Sequence, residues 1–398
     1  MRIAKIEDLH ADGGWRVFDF LKITTDDGLV GWAEYAEGFG AGGVTEVIRR
    51  MAPIVTGMDP RAFGRISASL RAVTRLAAGG LNHQAAAAIE NACLDIAAKA
   101  RGVPVHALFG GPYRERVPLY WSHCGSFRIR FADLFETWGY PRLSTAADLS
   151  RHAREAAARG FRAVKTNPIH FDGPGGAGRM FDSGFRMSPR VLERTIDRAF
   201  LAAVEETLGA FRDGLGPDVG LMLDLNFSQR TEGFLRAARL AEPYRLEWLE
   251  IDTHDAAALA AVRRGTTTPI ASLESIHGLG AYRPFLEQQA VDVAVVDVPW
   301  NGLLESVRIA TLAEAFEVNV APHNFYSHLA TLMSAQFCAA VPNARIMEIE
   351  VDDVPWKDEL VTSAPAIENG DLLVPTGPGW GAEVNEEAVR AHPPRTGR

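Results

Sequence analysis

The sequence predicts an α/β protein in two parts: an N-terminal α+β unit, then a closed barrel of parallel strands alternating with helices. Three observations predict it. Between about residues 117 and 350, short apolar runs alternate with helical patterns about eight times, which is the signature of a parallel barrel. An ionisable residue stands at the end of run after run. From Asp224 through Glu250, Glu274, Asp297 and His323 to Glu348 the spacings are 26, 24, 23, 26 and 25 residues, about one strand–helix unit of a barrel. Finally, 398 residues are too many for one small core, whereas a barrel uses about 250 as a single domain.

The N-terminal unit, to about residue 115, contains a hairpin pattern. Arg16 to Thr24 and Leu29 to Tyr35 are β-like and flank the turn Thr25-Asp26-Asp27-Gly28. Helical patterns follow at Val44–Met51, Phe63–Leu76 and Asn82–Ala100, the last with Asn82 as a candidate cap and Gly102 as its stop. Pro104 to Pro112 reads as a linker. The barrel strands are expected at Val117–Trp121, Phe161–Lys165, Gly220–Leu225, Leu246–Ile251, Pro269–Leu273, Val293–Val298, Val318–Ala321 and Arg345–Ile349. Helices are expected between them, for example Phe234–Ala241, Leu303–Phe316 and Leu329–Val341. His170 to Pro189 lacks periodicity and is expected to be a long loop after the second strand. From Trp356 the chain is polar and rich in proline, and its last seven residues are expected to be disordered.

Composition excludes several classes. Net charge is -9, and phosphate binding needs clustered Lys and Arg, so no nucleic-acid partner is expected. An anionic small substrate fits such a chain if a local cation reverses the field inside the site. Cys93, Cys124 and Cys338 are far apart and form no CxxC pair, which removes zinc-finger and redox-motif readings. Lys5, Glu7 and Asp8 interrupt the N-terminus where a signal peptide needs an apolar run, and no stretch approaches the ~20 apolar residues of a membrane span. A soluble, cytoplasmic protein without a membrane partner is expected, and a homo-oligomer.

Strand ends of a barrel converge on one rim, where barrel active sites sit. Lys165, Asp224, Glu250, Glu274, Asp297, His323 and Glu348 would therefore share one pocket. Any one acid after an apolar strand can be a helix cap, as Asp224 could be, but seven in phase argue for a site. Asp224, Glu250 and Glu274 supply three carboxylates and neither Cys nor His. Oxygen-only ligation favours a hard cation such as Mg²⁺, and without one the three anions would raise each other's pKa. Asp297, one unit before His323, could sit beside the imidazole and fix its tautomer. Lys165, across the barrel, could act as base or acid with a lowered pKa.

These motifs resemble the enolase superfamily in its mandelate racemase-like branch. TDDGLVGWAE resembles that family's capping-domain hairpin. LMLDLN, EWLE and SLES resemble its three metal-ligand strands, VVDVPWNGL and APHN its Asp–His dyad, and RIME its eighth-strand glutamate. The resemblance implies a (β/α)7β modified TIM barrel over residues 116–355. It implies an α+β capping domain over 1–115, completed by about 356–398. It makes Asp224, Glu250 and Glu274 the Mg²⁺ ligands, Asp297 and His323 the dyad, and Glu348 the electrophile that hydrogen-bonds a substrate carboxylate. The implied reaction removes the proton next to that carboxylate and stabilises the enediolate on the metal. Two departures stand out. Lys165-Thr166-Asn167 replaces Lys-x-Lys, with Asn167 at the position of the second, basic Lys. Glu250-Ile251-Asp252 replaces Glu-Glu-Pro or Glu-x-Pro.

The first departure weakens a racemase, which needs bases on both faces of the planar intermediate; dehydration needs less, and the resemblance to related sugar-acid dehydratases points to that activity. A racemase, epimerase or cycloisomerase is the alternative on the same scaffold. A non-catalytic metal- or metabolite-binding barrel is the alternative from another class, although it would have no need of a proton carrier. Asn167, Asn226 and Asn324 are candidate partners for substrate hydroxyls. Gly-rich His10–Trp15 and Glu37–Gly43 are the candidate capping loops over the substrate, with Trp15 and Phe39 as their test residues.

Overall fold

The computed structural model describes residues 1–38, 42–172, 178–184 and 194–395. It is a (β/α)7β barrel with an α+β cap. Eight parallel strands run Arg116–Ser122, Ala163–Thr166, Gly220–Asp224, Trp248–Glu250, Ile270–Ser272, Val293–Asp297, Asn319–His323 and Met347–Glu350. Neighbours pair in order from the first to the seventh, the eighth pairs with the first, Glu348 opposite Tyr120, and a single parallel bridge from Val320 to Ala344 joins the seventh strand to the segment before the eighth. Seven helices cover the outside: Ala146–Ala158, Arg198–Leu215, Thr231–Ala241, Ala256–Arg264, Leu279–Glu287, Leu303–Ala315 and His328–Ala340. Each expected strand is present to within a few residues.

The barrel is filled by an inward-facing apolar cluster: Tyr120, Ala163, Met222, Trp248, Ala271, Val293, Val295, Ala321 and Ile346. Strand side chains alternate with period two. The residue two places beyond a filler therefore points into the barrel again, one step nearer the rim. That rule alone carries Ala163 to Lys165, Met222 to Asp224, Trp248 to Glu250, Val295 to Asp297, Ala321 to His323 and Ile346 to Glu348. The fifth strand departs from it. Leu273 has φ +96°, which breaks the alternation and brings Glu274 inward three places after Ala271.

The cap is a three-stranded antiparallel sheet, Ile3–Asp12, Val17–Thr25 and Val30–Tyr35, with helices Val44–Val55, Phe63–Val73 and Gly80–Lys99. Its first strand corrects the sequence reading, which made His10–Trp15 a loop. His10, Ala11 and Asp12 are in the strand, and only a tight turn remains, closed by Gly13 N donating to Arg16 O at 3.0 Å. The last helix lies between sheet and barrel. Gly31 lets the sheet approach it, since a Cβ there would stand 2.3 Å from Ala92 O. On its other side, Asn91 bonds Val298 O and Leu303 N, and Glu90 accepts from Leu304 N. Asn82 is not its cap. It lies inside the helix and donates to Ala77 O, while Gly79 holds the N-cap position.

Two further expectations change. Part of the expected loop after the second strand is a short hairpin, Ile169–Phe171 with Gly178–Met180, and much of the remainder lies outside the described residues. The C-terminal segment is packed as far as Arg395, and residues 396–398 of the tail expected to be disordered lie outside the described residues. Asp371–Leu373 adds antiparallel to the first barrel strand. His392 stacks on Trp356 with centroids 4.7 Å apart, and Arg395 pairs with Asp12 at 2.7 Å. All three cysteines are free and buried. No helix among the described residues is long and apolar enough to cross a membrane.

Candidate active site

The rim residues converge as the strand register requires. Asp224 lies opposite Glu250, and Asp297 opposite His323, in the parallel ladders. The second of these pairings puts Asp297 Oδ2 2.6 Å from His323 Nδ1. The same oxygen accepts from Tyr326 Oη at 2.6 Å, and Oδ1 accepts from Trp300 N at 2.7 Å. Asp297 is thus both helix cap and imidazole partner. His323 Nε2 faces Glu274 Oε2 at 3.5 Å. Burial alone would lower the imidazole pKa, but Glu274 and Asp297 outweigh it and raise it to about 10. Burial pushes Glu274 up to about 7, with His323 opposing.

Lys165 is the other cation. Its Nζ lies 3.0 Å from Glu250 Oε2, 3.1 Å from Glu348 Oε1 and 3.9 Å from Asp224 Oδ2, above the Tyr120 ring. Burial opposes its charge, yet Glu250 and Glu348 hold its pKa well above the ordinary lysine value. The expected lowering is therefore not what these neighbours produce. Glu348 also accepts from Ser122 Oγ and from Asn324 N at 2.8 Å. Burial would raise its pKa, but Lys165 and His323 bring it down to about 2.

The asparagines serve the framework. Asn167 takes Ser126 Oγ on its oxygen at 2.8 Å and donates to Asp224 O at 3.1 Å and Asn226 Oδ1 at 3.4 Å. Asn226 donates through Nδ2 to Asp224 Oδ2 at 2.9 Å. Asn324 turns its amide to Thr331 and Glu348 O. Trp15 is outside this cluster. It packs on Phe127 and Phe135, in two short helices inserted after the first barrel strand, and on Phe131 between them, and Phe127 stacks on His123 at 3.8 Å. Phe39 lies outside the described residues.

Three rim residues escaped the sequence reading. Ser122 and His123 end the first strand, where His123 bonds Glu350 at 2.8 Å. The inserted helices put this strand end out of phase with the others. The polar pair after the run Val117–Trp121 was the available signal. The third is Asp252, two residues beyond Glu250 and 1% exposed. Burial among Glu274, Asp224 and Glu250 drives its pKa well above the ordinary range.

The donor set suits an oxygen-seeking cation. Glu250 Oε1 and both Asp252 carboxylate oxygens are buried without a hydrogen-bond partner, and buried anionic oxygens need a counter-charge. Among the described residues, no three His, Cys, Asp or Glu side chains would hold a metal as they stand. The Lys165 ammonium occupies the space between Glu250, Asp224 and Glu348.

Comparison with known proteins places the fold. Residues 148–388 match the family described as Enolase C-terminal domain-like, and residues 15–110 the Mandelate racemase / muconate lactonizing enzyme N-terminal domain. A D-xylonate dehydratase of Haloferax volcanii is 29% identical, covering 98% of this chain and 90% of its own. A D-galactarolactone cycloisomerase of Agrobacterium fabrum is 28% identical over 94% and 90%. A crystal structure from Burkholderia xenovorans, provisionally assigned as an L-alanine-DL-glutamate epimerase and bound to magnesium and fumarate, superposes with TM-score 0.95. It is 44% identical, covering 99% of this chain and 97% of its own. The protein belongs to the enolase superfamily, in the branch of mandelate racemase and muconate lactonizing enzyme.

Proposed function

We propose that this enzyme dehydrates a sugar acid, an aldonate or aldarate, to a 2-keto-3-deoxy acid. Residues 1–115 with 356–398 would act as cap and 116–355 as catalytic barrel. The observation that carries the reading is the His323–Asp297 contact of 2.6 Å, with Nε2 turned to the carboxylate cluster. Asp297 fixes the tautomer and stabilises the imidazolium. His323 removes the proton next to the substrate carboxylate or delivers one to the departing β-hydroxyl, so that one water is lost and the enol becomes the 2-keto product. Lys165, three strand positions away around the ring, serves the other side. Asp224, Glu250 and Glu274 would hold Mg²⁺, whose chemistry is that of a Lewis acid on the substrate carboxylate, worth several kcal/mol. Glu348 must carry a proton to donate to that carboxylate; ionised, as beside Lys165, it positions the lysine instead.

The dehydratase relatives support this reading. The 44%-identical structure favours a second one, epimerisation, with Lys165 and His323 as the two bases. Against it, Asn167 holds an amide, which takes no proton near neutral pH. A library of mono- and diacid sugars incubated with Mg²⁺ in deuterated water separates the two. A 2-keto product is expected. A C2 epimer carrying solvent deuterium, with no loss of water, would overturn the dehydratase.

A further inference from the structure

Asp252 is a carboxylate that the proposed reaction leaves without a task. It is 1% exposed, and neither oxygen has a hydrogen-bond partner. No Lys, Arg or His among the described residues forms an ion pair with it. Lys165, the buried ammonium of the rim, is already shared by Glu250, Glu348 and Asp224. An unpaired buried carboxylate costs several kcal/mol unless something neutralises it. Helix capping does not account for it either, because Asp255 caps the helix that follows.

Its placement is set by the backbone. Leu225 N donates to Glu250 O, and Asp252 N to Asn226 O at 3.0 Å, so the ladder between the third and fourth strands continues past their ends. That bond sets Asp252 beside Asn226 at the rim, one step beyond Glu250, where the backbone of Asn226 itself turns left-handed at φ +46°. Asn226 shows what that position can reach, since its side chain returns to the Asp224 carboxylate at 2.9 Å. Glu250 Oε1, two residues back on the same face, is also unpartnered.

We infer that Asp252 is a fourth carboxylate of the cation site, holding the ion with Asp224, Glu250 and Glu274. This rests on the proposed role of those three residues. It also explains the departure at Glu250-Ile251-Asp252, because an acid at that position adds oxygen ligands and one negative charge. Affinity and selectivity of an oxygen site follow ligand number and charge.

The test is direct Mg²⁺ binding to chelator-treated full-length protein by titration calorimetry with MgCl2 alone, together with the Mg²⁺-induced shift in Tm. Asp252→Asn keeps the shape and removes the charge. Its Kd should rise by ~10-fold or more, the scale on which lost supporting groups weaken metal sites. Its Tm without Mg²⁺ should equal or exceed that of the wild type, since a buried carboxyl group without a hydrogen-bond partner has been deleted. Asp252→Ser is the second variant should the amide not fold, with the same expectation for Kd. Asp224→Asn is the control. If it loses Mg²⁺ while the Asp252 variants bind as the wild type does, Asp252 lies outside the site and the inference is overturned alone. If none of the variants changes Mg²⁺ affinity, the cation reading fails and the inference with it.

Discussion

At the scale of single residues, His323 is held by Asp297 on one side and turns Nε2 to Glu274 on the other. Asp297 fills Nδ1, and Tyr326 and Trp300 N hold Asp297 in place. His323→Asn should lower kcat by ~10²–10⁴-fold, the usual worth of a positioned acid–base group. Tyr326→Phe removes one hydrogen bond from Asp297 and should cost much less. Steady-state kinetics on the first substrate found in the library checks both, and equal losses would show that Tyr326 acts on the substrate itself. Asp224→Asn, Glu250→Gln and Glu274→Gln should each abolish turnover, and exhaustive chelation should do the same to the wild type. Full activity after chelation would remove the metal from the reaction.

At the scale of elements, the seat of helix Gly80–Lys99 is a close fit. Gly302 has φ +79°, and a Cβ there would stand 2.4 Å from Glu90 Oε1. Gly302→Ala combines a disfavoured backbone with overpacking against a fully buried side chain. It should destabilise the protein by ~1–3 kcal/mol, read as a lower urea midpoint with unchanged m. A midpoint within error of the wild type would show that Glu90 moves aside freely.

At the scale of the whole molecule, the cap is joined to the catalytic barrel by buried polar and aromatic contacts. Glu34, on the third cap strand, accepts from Ser327 N at 2.7 Å, Ser327 Oγ, and Ala330 N at 2.8 Å. It thereby caps the helix that follows His323. Burial raises its pKa from 4.5 to about 7, against those hydrogen bonds. The folded state therefore holds a proton that the unfolded state releases at lower pH. Stability from this group is complete below about pH 4.5 and is lost as pH rises through 7, by about 3 kcal/mol at most. Glu34→Gln should flatten that part of the Tm–pH profile, and an unchanged slope would assign it to another group. Trp15 bridges the same two bodies through Phe127, Phe131 and Phe135. Trp15→Ala should cost ~3–5 kcal/mol of stability, measured by denaturation. Unchanged stability with a raised KM would restore the lid reading of that turn.

The barrel is legible in the sequence, because alternation of short apolar runs with amphipathic helices has few ways to bury both. So is the set of residues that meet at the rim. Lys165, Asp224, Glu250, Asp297, His323 and Glu348 each follow an inward filler by two places, and period-two alternation is a local property. What the sequence left open depends on contacts between distant segments. The first strand's Ser122 and His123 were hidden by an insertion that breaks the spacing. Trp15 reads as loop until the helices inserted after the first strand cover it. The pKa of Lys165 is raised rather than lowered because three carboxylates from other strands surround it, and the field at a buried group is a sum over its neighbours in space. Asp252 stood in the sequence as a departure from a pattern. Only the packed rim shows it buried beside three other acids with no partner of its own.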